Sequence, residues 1–150
     1  MWYVMRSRME RCCMSVTDAA TTMQVMAGKD LTALRGMLDS AQFADEIFGF
    51  HAQQSIEKLL KAWITLAGGT FGFIHDLELL LSHLKRLGVD SDRFSPLIEF
   101  AAYAVQFRYT EIDLEDAPLD RPGTIRKITE LFEHVQTLMA SQVTPQTNNT

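Results

Sequence analysis

Apolar side chains recur along the chain at intervals of three and four residues, the spacing that places them on one face of an α-helix. Five such stripes are present, and no stretch of useful length alternates apolar and polar residues as a β-strand does. The stripes predict an all-α fold, an up-and-down antiparallel bundle of about five helices, two long ones followed by three shorter ones. The stripes consist of Met23, Ala27, Asp30, Leu34 and Met37; Phe48, Ala52, Ile56, Leu59, Trp63 and Leu66; Ile74, Leu77, Leu81 and Leu84; Leu97, Ala101, Ala104 and Val105; and Ile125, Ile128, Phe132, Val135 and Met139.

Short sequence signals indicate where the predicted helices begin and end. The first helix should follow Ser15, a residue type that commonly caps helix N-termini, and the second should stop at Gly68. The third should be closed by Gly88. The fourth should begin at Ser95, which is followed by a proline at the first helical position.

Composition limits the chain to one domain of an ordinary globular kind. It has 150 residues, of which 47% are hydrophobic and 22% are charged, enough to bury a single core without disulfide bonds. The only cysteines are the adjacent Cys12 and Cys13, which form no disulfide framework. The longest largely apolar run without a charge, residues 62–74, is too short to span a bilayer. We therefore expect a cytoplasmic protein that does not enter a membrane.

The charge of the chain is uneven along its length. The 14 Lys and Arg residues are outnumbered by 19 Asp and Glu residues, for a net charge of −5, which argues against a broad basic surface for nucleic acid. Residues 1–13 are relatively basic, and we expect them to be disordered or an extension outside the domain. The bundle should occupy residues 14–140, and the polar residues 141–150 should form a disordered tail.

Two charged residues fall on apolar stripes, where an unpaired charge is costly. Asp30 lies on the stripe of the first helix and Arg108 continues that of the fourth, so we expect the two helices to pack with Asp30 facing Arg108. One interpretation is a structural ion pair, or an Arg108 that caps the end of its helix. The other is a polar pocket in which Asp30 orients the guanidinium of Arg108 towards a phosphate.

The second helix carries a polar strip opposite its apolar stripe. His51, Gln54, Lys58 and Lys61 fall within an arc of about 80° at 100° per residue. The strip is either a solvated face or a cationic lining of a groove or dimer seam. Glu57 and Lys61 are also spaced to form an ion pair along the helix.

Other chemical signals are weak. Residues 111–122 form an acidic segment, either a solvated loop or a surface for a partner or a divalent ion. The four histidines are scattered and no HExxH motif is present, so no metal site is expected. His75-Asp76-Leu77 is most simply the N-terminus of the third helix.

The segment Phe50–Ala62, FHAQQSIEKLLKA, resembles the second-helix signature of HEPN domains (higher eukaryotes and prokaryotes nucleotide-binding). The motifs His75–Leu77, Tyr103 and Arg108–Tyr109 follow in the order and spacing that this family shows. Ala27–Leu31, AGKDL, matches on the first helix.

The resemblance, which covers roughly residues 16–140, implies a helical bundle that often dimerises and is similar to the substrate-binding subunit of nucleotidyltransferases. It implies a binding module that pairs with a separately encoded minimal nucleotidyltransferase, as in a toxin–antitoxin-like system, and forms a homodimer. The ligand that the resemblance implies is a nucleotide such as ATP or GTP, and no other cofactor is expected. The residues expected to bind its phosphate are Arg108, Asp30, His51, Lys58, Lys61 and Tyr109.

The chain departs from the family pattern after Arg108. Thr110 stands where the family commonly has proline. The positions at which HEPN ribonucleases carry histidine are occupied by Asp113, Leu114 and Glu115, so the chain fits a binding module better than an enzyme. Two alternatives remain: a ribonuclease toxin that uses Arg108 with His51 from another helix, and a purely structural homodimeric bundle.

Overall fold

The computed structural model describes residues 15–106 and 118–143. Every regular element in these two ranges is helical, which confirms the all-α bundle. The last helix is the longest, with 23 residues, so the expectation of three short helices after two long ones was wrong. The elements are α1 (Val16–Gly36), α2 (Asp45–Leu66), α3 (Leu77–Arg86), a 3-10 helix (Asp92–Ala102), α4 (Tyr103–Gln106) and α5 (Arg121–Val143).

Helix α2 is the centre of the bundle. Of its 22 residues, 14 are buried, because α1, α3, α4 and α5 all pack against it. All six residues of its predicted apolar stripe are in the core. The helix ends at Leu66, and Gly68 then adopts a φ of 81°, a backbone conformation that favours glycine. The predicted stop at Gly68 is confirmed.

Helix α1 begins as predicted but buries a slightly different face. Ser15 caps it by accepting from the backbone N–H of Asp18, and the Asp18 side chain accepts from the backbone N–H of Ser15. The predicted stripe shares only Ala27 and Leu34 with the buried face, which is completed by Ala20, Gln24 and Leu31. Asp30 therefore lies at the edge of the α1–α2 interface rather than in its middle.

The fourth predicted helix is a 3-10 helix as far as Ala102 and an α-helix, α4, only from Tyr103, so its predicted start was wrong, as was its predicted type in the first part. The element begins at Asp92, so Pro96 lies inside it rather than at its first position. A 3-10 helix repeats every three residues, and the buried side chains follow that period. They are Phe94, Leu97, Phe100 and Tyr103.

Side-chain caps set the start of α3 and α5. Asp76 accepts from the backbone N–H groups of Glu78 and Leu79, which confirms the predicted helix N-terminus. Asp120 accepts from the N–H of Gly123 at 3.0 Å. Since α5 begins at Arg121, the acidic segment ends two residues earlier than predicted. The helix continues to Val143, beyond the boundary predicted at residue 140.

Candidate functional site

Asp30 binds two basic side chains of α2 at once. Its Oδ1 lies 3.0 Å from Nδ1 of His51, and its Oδ2 accepts from Nζ of Lys58 at 2.5 Å. All three residues were predicted as phosphate-binding candidates. We call Asp30, His51 and Lys58 the Asp30 cluster.

The register of α1 against α2 places this cluster. The buried hydroxyl of Ser55 donates to the backbone oxygen of Ala27 at 3.0 Å, which ties the two helices together one turn from Asp30. His51 and Lys58 are seven residues apart and so lie two turns apart on the same side of α2. Asp30 reaches both from the facing helix.

The cluster is neither buried in the core nor free in solvent. The side chains of Asp30, Lys58 and His51 are 13%, 26% and 30% exposed. Gln54, the other member of this part of the strip, is also half-buried. The interpretation of the strip as a solvated face was therefore wrong, because α1 packs over it and supplies the carboxylate.

The two predicted candidates that follow α4 are Arg108 and Tyr109, and both lie outside the described residues. The partners that the structure gives to Asp30 are His51 and Lys58. An ion pair between Asp30 and Arg108 stays a prediction.

Lys61 belongs to a second cluster, centred on Glu57. The carboxylate Oε1 binds Nζ of Lys61 and Nδ1 of His75, each at 2.8 Å, and Oε2 accepts from Nε2 of Gln53 at 2.8 Å. The predicted pairing along the helix between Glu57 and Lys61 is confirmed. Lys61 is buried and also lies over the ring of Phe71, so it is separate from the Asp30 cluster.

The Glu57 carboxyl is held in its charged form. Burial by itself would raise its pKa, but the hydrogen bonds from its three partners outweigh burial. The pKa of Glu57 therefore lies below its usual value. Its partner His75 comes from the connection between α2 and α3, so this network fastens that connection to α2 and is structural in character.

Sequence reasoning missed a buried arginine at the start of α5. Nη1 of Arg121 donates to the backbone oxygen of Met37 at 2.6 Å. Nη2 donates to the backbone oxygen of Phe43 and to Oδ1 of Asp45, each also at 2.6 Å. The guanidinium lies 5.0 Å from the centre of the Phe48 ring. We call this set the Arg121 anchor, and it joins α5 to the connection between α1 and α2.

The two basic residues of the Asp30 cluster have hydrogen-bonding groups that Asp30 does not use. The Lys58 ammonium has three N–H groups, and Asp30 is its one partner among residues 15–106 and 118–143. His51 uses Nδ1 for Asp30, which leaves Nε2 as a donor when the ring is protonated and as an acceptor when it is neutral. A fixed ammonium beside an oriented imidazole can bind a phosphate or move a proton.

The family model of the HEPN domain matches residues 25–143 of the chain. The chain belongs to the HEPN domain family. A comparison with curated proteins and with solved structures found no match. The HEPN match covers α1 from its middle onwards, all of α2 to α5, and therefore both the Asp30 cluster and the Arg121 anchor.

Two further observations on this chain concern metal sites and membrane-spanning helices. In residues 15–106 and 118–143, no three His, Cys, Asp or Glu side chains come together as a metal site would require. None of the helices in that same part of the chain combines the length and the apolar character needed to cross a bilayer.

Proposed function

We propose that this HEPN domain is a binding module that holds a nucleotide by its phosphate at the Asp30 cluster. The observation that carries the proposal is that one carboxylate fixes two basic groups, while Lys58 keeps N–H groups and His51 keeps Nε2 for a ligand. A phosphate needs several donors held in place before it arrives, since each charge-assisted hydrogen bond is then formed at little cost in entropy.

Partial exposure supports this assignment. A lysine buried as deeply as Lys61 has no room for a ligand, and a fully solvated lysine would be neither oriented nor partly desolvated. Lys58 lies between these extremes, at 26% exposure, where attraction to an anion is stronger than in bulk water.

Helix α4 packs near the N-terminal end of α2, the end that also carries His51. The Tyr103 ring packs so closely on Gly49 that a Cβ at this position would collide with it. Gly49 precedes His51 by two residues, and Arg108 follows Tyr103 by five. We therefore retain Arg108 and Tyr109 as proposed phosphate-binding residues beside the Asp30 cluster.

Isothermal titration calorimetry with ATP and GTP tests nucleotide binding directly. We expect the wild-type chain to bind, and Lys58→Gln to bind about tenfold more weakly, since it loses a charge-assisted hydrogen bond. Lys29→Gln is the matched control, because Lys29 is exposed on α1 next to Asp30 and lies outside the cluster. The absence of heat with either nucleotide at millimolar concentration would contradict the proposal.

We further propose that the module pairs with a separately encoded minimal nucleotidyltransferase, in a toxin–antitoxin-like arrangement, and that it forms a homodimer. The order of the HEPN motifs supports this role. Sequencing of the neighbouring open reading frames, followed by co-expression and co-purification, tests it. A neighbouring nucleotidyltransferase that does not co-purify with the chain would argue against the pairing.

One observation favours a ribonuclease as the second candidate function. Asp30 orients His51 through Nδ1, and an imidazole held in this way can act as a general base through Nε2. This alternative predicts metal-independent RNA cleavage that is lost in both His51→Ala and Arg108→Ala. Intact RNA after incubation with the wild-type chain would exclude it.

A further inference from the structure

A second basic site lies between the 3-10 helix and α5. It is a cavity of about 290 Å³ whose charged lining residues are Arg93, Arg126, Lys127 and Glu130. None of the Asp30 cluster residues lines it. We call Arg93, Arg126 and Lys127 the cationic groove.

The positive charge of this groove is poorly compensated within the described residues. In residues 15–106 and 118–143, neither Arg93 nor Arg126 has a carboxylate within 4.0 Å. Lys127 lies 3.8 Å from Glu99, and both side chains are largely exposed, so this pair is weak. Three cations sharing one cavity is notable in a chain with a net charge of −5.

Arg93 is exposed, but its side chain lies over an aromatic ring of the core. Its guanidinium lies 4.5 Å from the centre of the Phe94 ring. That ring is buried and meets the rings of Trp63 and His134, each at 5.7 Å between centres. Stacking on a fixed ring orients the planar fork of an arginine before any ligand binds.

Helix α5 supplies two of the three cations. Arg126 and Lys127 lie in its second turn, and its first turn contains no acidic residue. Asp120 lies just before the helix, where its carboxylate binds the N–H of Gly123. Among the residues that the structure describes, Glu130 is the one carboxylate that lines the cavity.

We propose that the cationic groove is a second anion-binding site that takes a phosphate or diphosphate group. Its volume is at the lower end of ligand pockets, which suits the phosphate end of a ligand rather than a whole nucleotide. An arginine fork matches two oxygen atoms of a phosphate, and the second arginine and the lysine approach from α5. This site is separate from the proposed nucleotide site, and either can exist without the other.

An NMR titration of the ¹⁵N-labelled chain with inorganic pyrophosphate at low salt tests the groove. We expect saturable amide shifts in residues 93–97 and 126–130. Arg126→Gln should weaken these shifts about tenfold, the size expected for loss of a charge-assisted hydrogen bond. Arg86→Gln is the control, since it removes the same charge from an exposed site on α3, and it should bind as the wild type does.

The position of the shifts separates the two sites. Shifts confined to residues around His51 and Lys58, and lost in Lys58→Gln, would overturn the groove proposal and leave the proposed function standing. Shifts in the groove that survive Lys58→Gln but not Arg126→Gln would support the groove whatever happens at the Asp30 cluster. No shifts in the groove at millimolar pyrophosphate would overturn it.

Two further ligands identify the source of the phosphate. A short oligouridylate that binds the groove more tightly than pyrophosphate indicates a nucleic-acid backbone, and equal affinity indicates a small phosphorylated compound. A short polyglutamate peptide that binds as tightly as pyrophosphate would overturn the assignment to phosphate, because the groove would then be recognising an acidic partner.

Discussion

The Arg121 anchor and the Asp30 cluster both join helices through charged side chains, yet they differ in how far those side chains are exposed and in what they bind. The Arg121 side chain is 4% exposed, and its two Nη atoms bind two backbone oxygens and one carboxylate. In the Asp30 cluster one carboxylate serves two basic side chains that are more than a quarter exposed. The anchor directs its charge inward to the protein, whereas the cluster leaves part of its charge facing outward.

This difference offers a physical criterion for separating a structural ion pair from the proposed binding site. A buried charge with protein partners is costly to break, because its removal strands those partners without solvent. Removal of a partly exposed cation with unused donors should change the free energy of unfolding little. It should weaken the binding of any anion that the cation contacts. The two regions should therefore respond in opposite ways to equivalent substitutions.

The largest expected effect is the loss of stability in Arg121→Met. The substitution leaves the Asp45 carboxylate and the carbonyl groups of Met37 and Phe43 without their shared donor. Breaking a buried pair of this kind costs about 3–5 kcal/mol in free energy of unfolding. Urea denaturation followed by circular dichroism measures the change.

Arg126→Met is the matched control for this substitution. It lies on the same helix, but its side chain is exposed, so we expect a change of no more than about 0.5 kcal/mol. If Arg121→Met cost less than about 1 kcal/mol, the distinction between the anchor and the cluster would lose its basis.

The next largest effect concerns α2, the helix that carries His51 and Lys58. Gly49→Ala places a Cβ inside the Tyr103 ring, and forcing extra volume into a packed core costs about 1–3 kcal/mol. The better helix propensity of alanine offsets part of this cost. Gly36→Ala is the control, since its Cβ would meet nothing within 4 Å. Equal stability of the two variants in urea would show that α4 is not held against α2.

The fold was predictable where burial follows a simple period. All predicted stripe residues of α2 are buried because other helices pack around most of that helix. A small error in the predicted direction of its buried face therefore still selects core residues. Helix α1 buries one side only, and its predicted and observed faces share Ala27 and Leu34, which made the phase ambiguous. The 3-10 helix could have been found from the steps of three between Phe94, Leu97, Phe100 and Tyr103.

The residues of the Asp30 cluster could be selected from the sequence, but their pairing could not. Asp30 stood out because it falls on an apolar stripe, whereas His51 and Lys58 were selected as members of a polar strip on the second helix. Which of them meet depends on how α1 is rotated and shifted against α2, and that is set by tertiary packing. Arg121 was missed for a similar reason. Two of its partners are backbone oxygens, which no side-chain pattern reveals.

A smaller effect on stability is expected at the Asp30 cluster itself. Lys58→Gln removes one partner from Asp30 but leaves His51 in place, and both side chains of the broken pair have access to water. We expect the free energy of unfolding to fall by less than about 1 kcal/mol. The same urea experiment measures it. A loss as large as that of Arg121→Met would mean that Lys58 is structural, and its proposed role in binding would lose support.

The smallest effect comes from a polar ring that belongs to neither region. His134 packs against Trp63 at 4.5 Å between ring centres. Its pKa is lowered, first by burial and then by the nearby charge of Arg93. Because the unfolded chain takes up this proton more readily, the contribution of His134 to stability is present above the unfolded pKa of about 6.5 and declines below it. His134→Phe keeps an aromatic ring there and removes the proton site. Between pH 7.5 and 5.5 the wild type should therefore lose more stability than the variant does, measured by urea denaturation across that range. Parallel curves would show that His134 takes up a proton as easily in the folded chain as in the unfolded one.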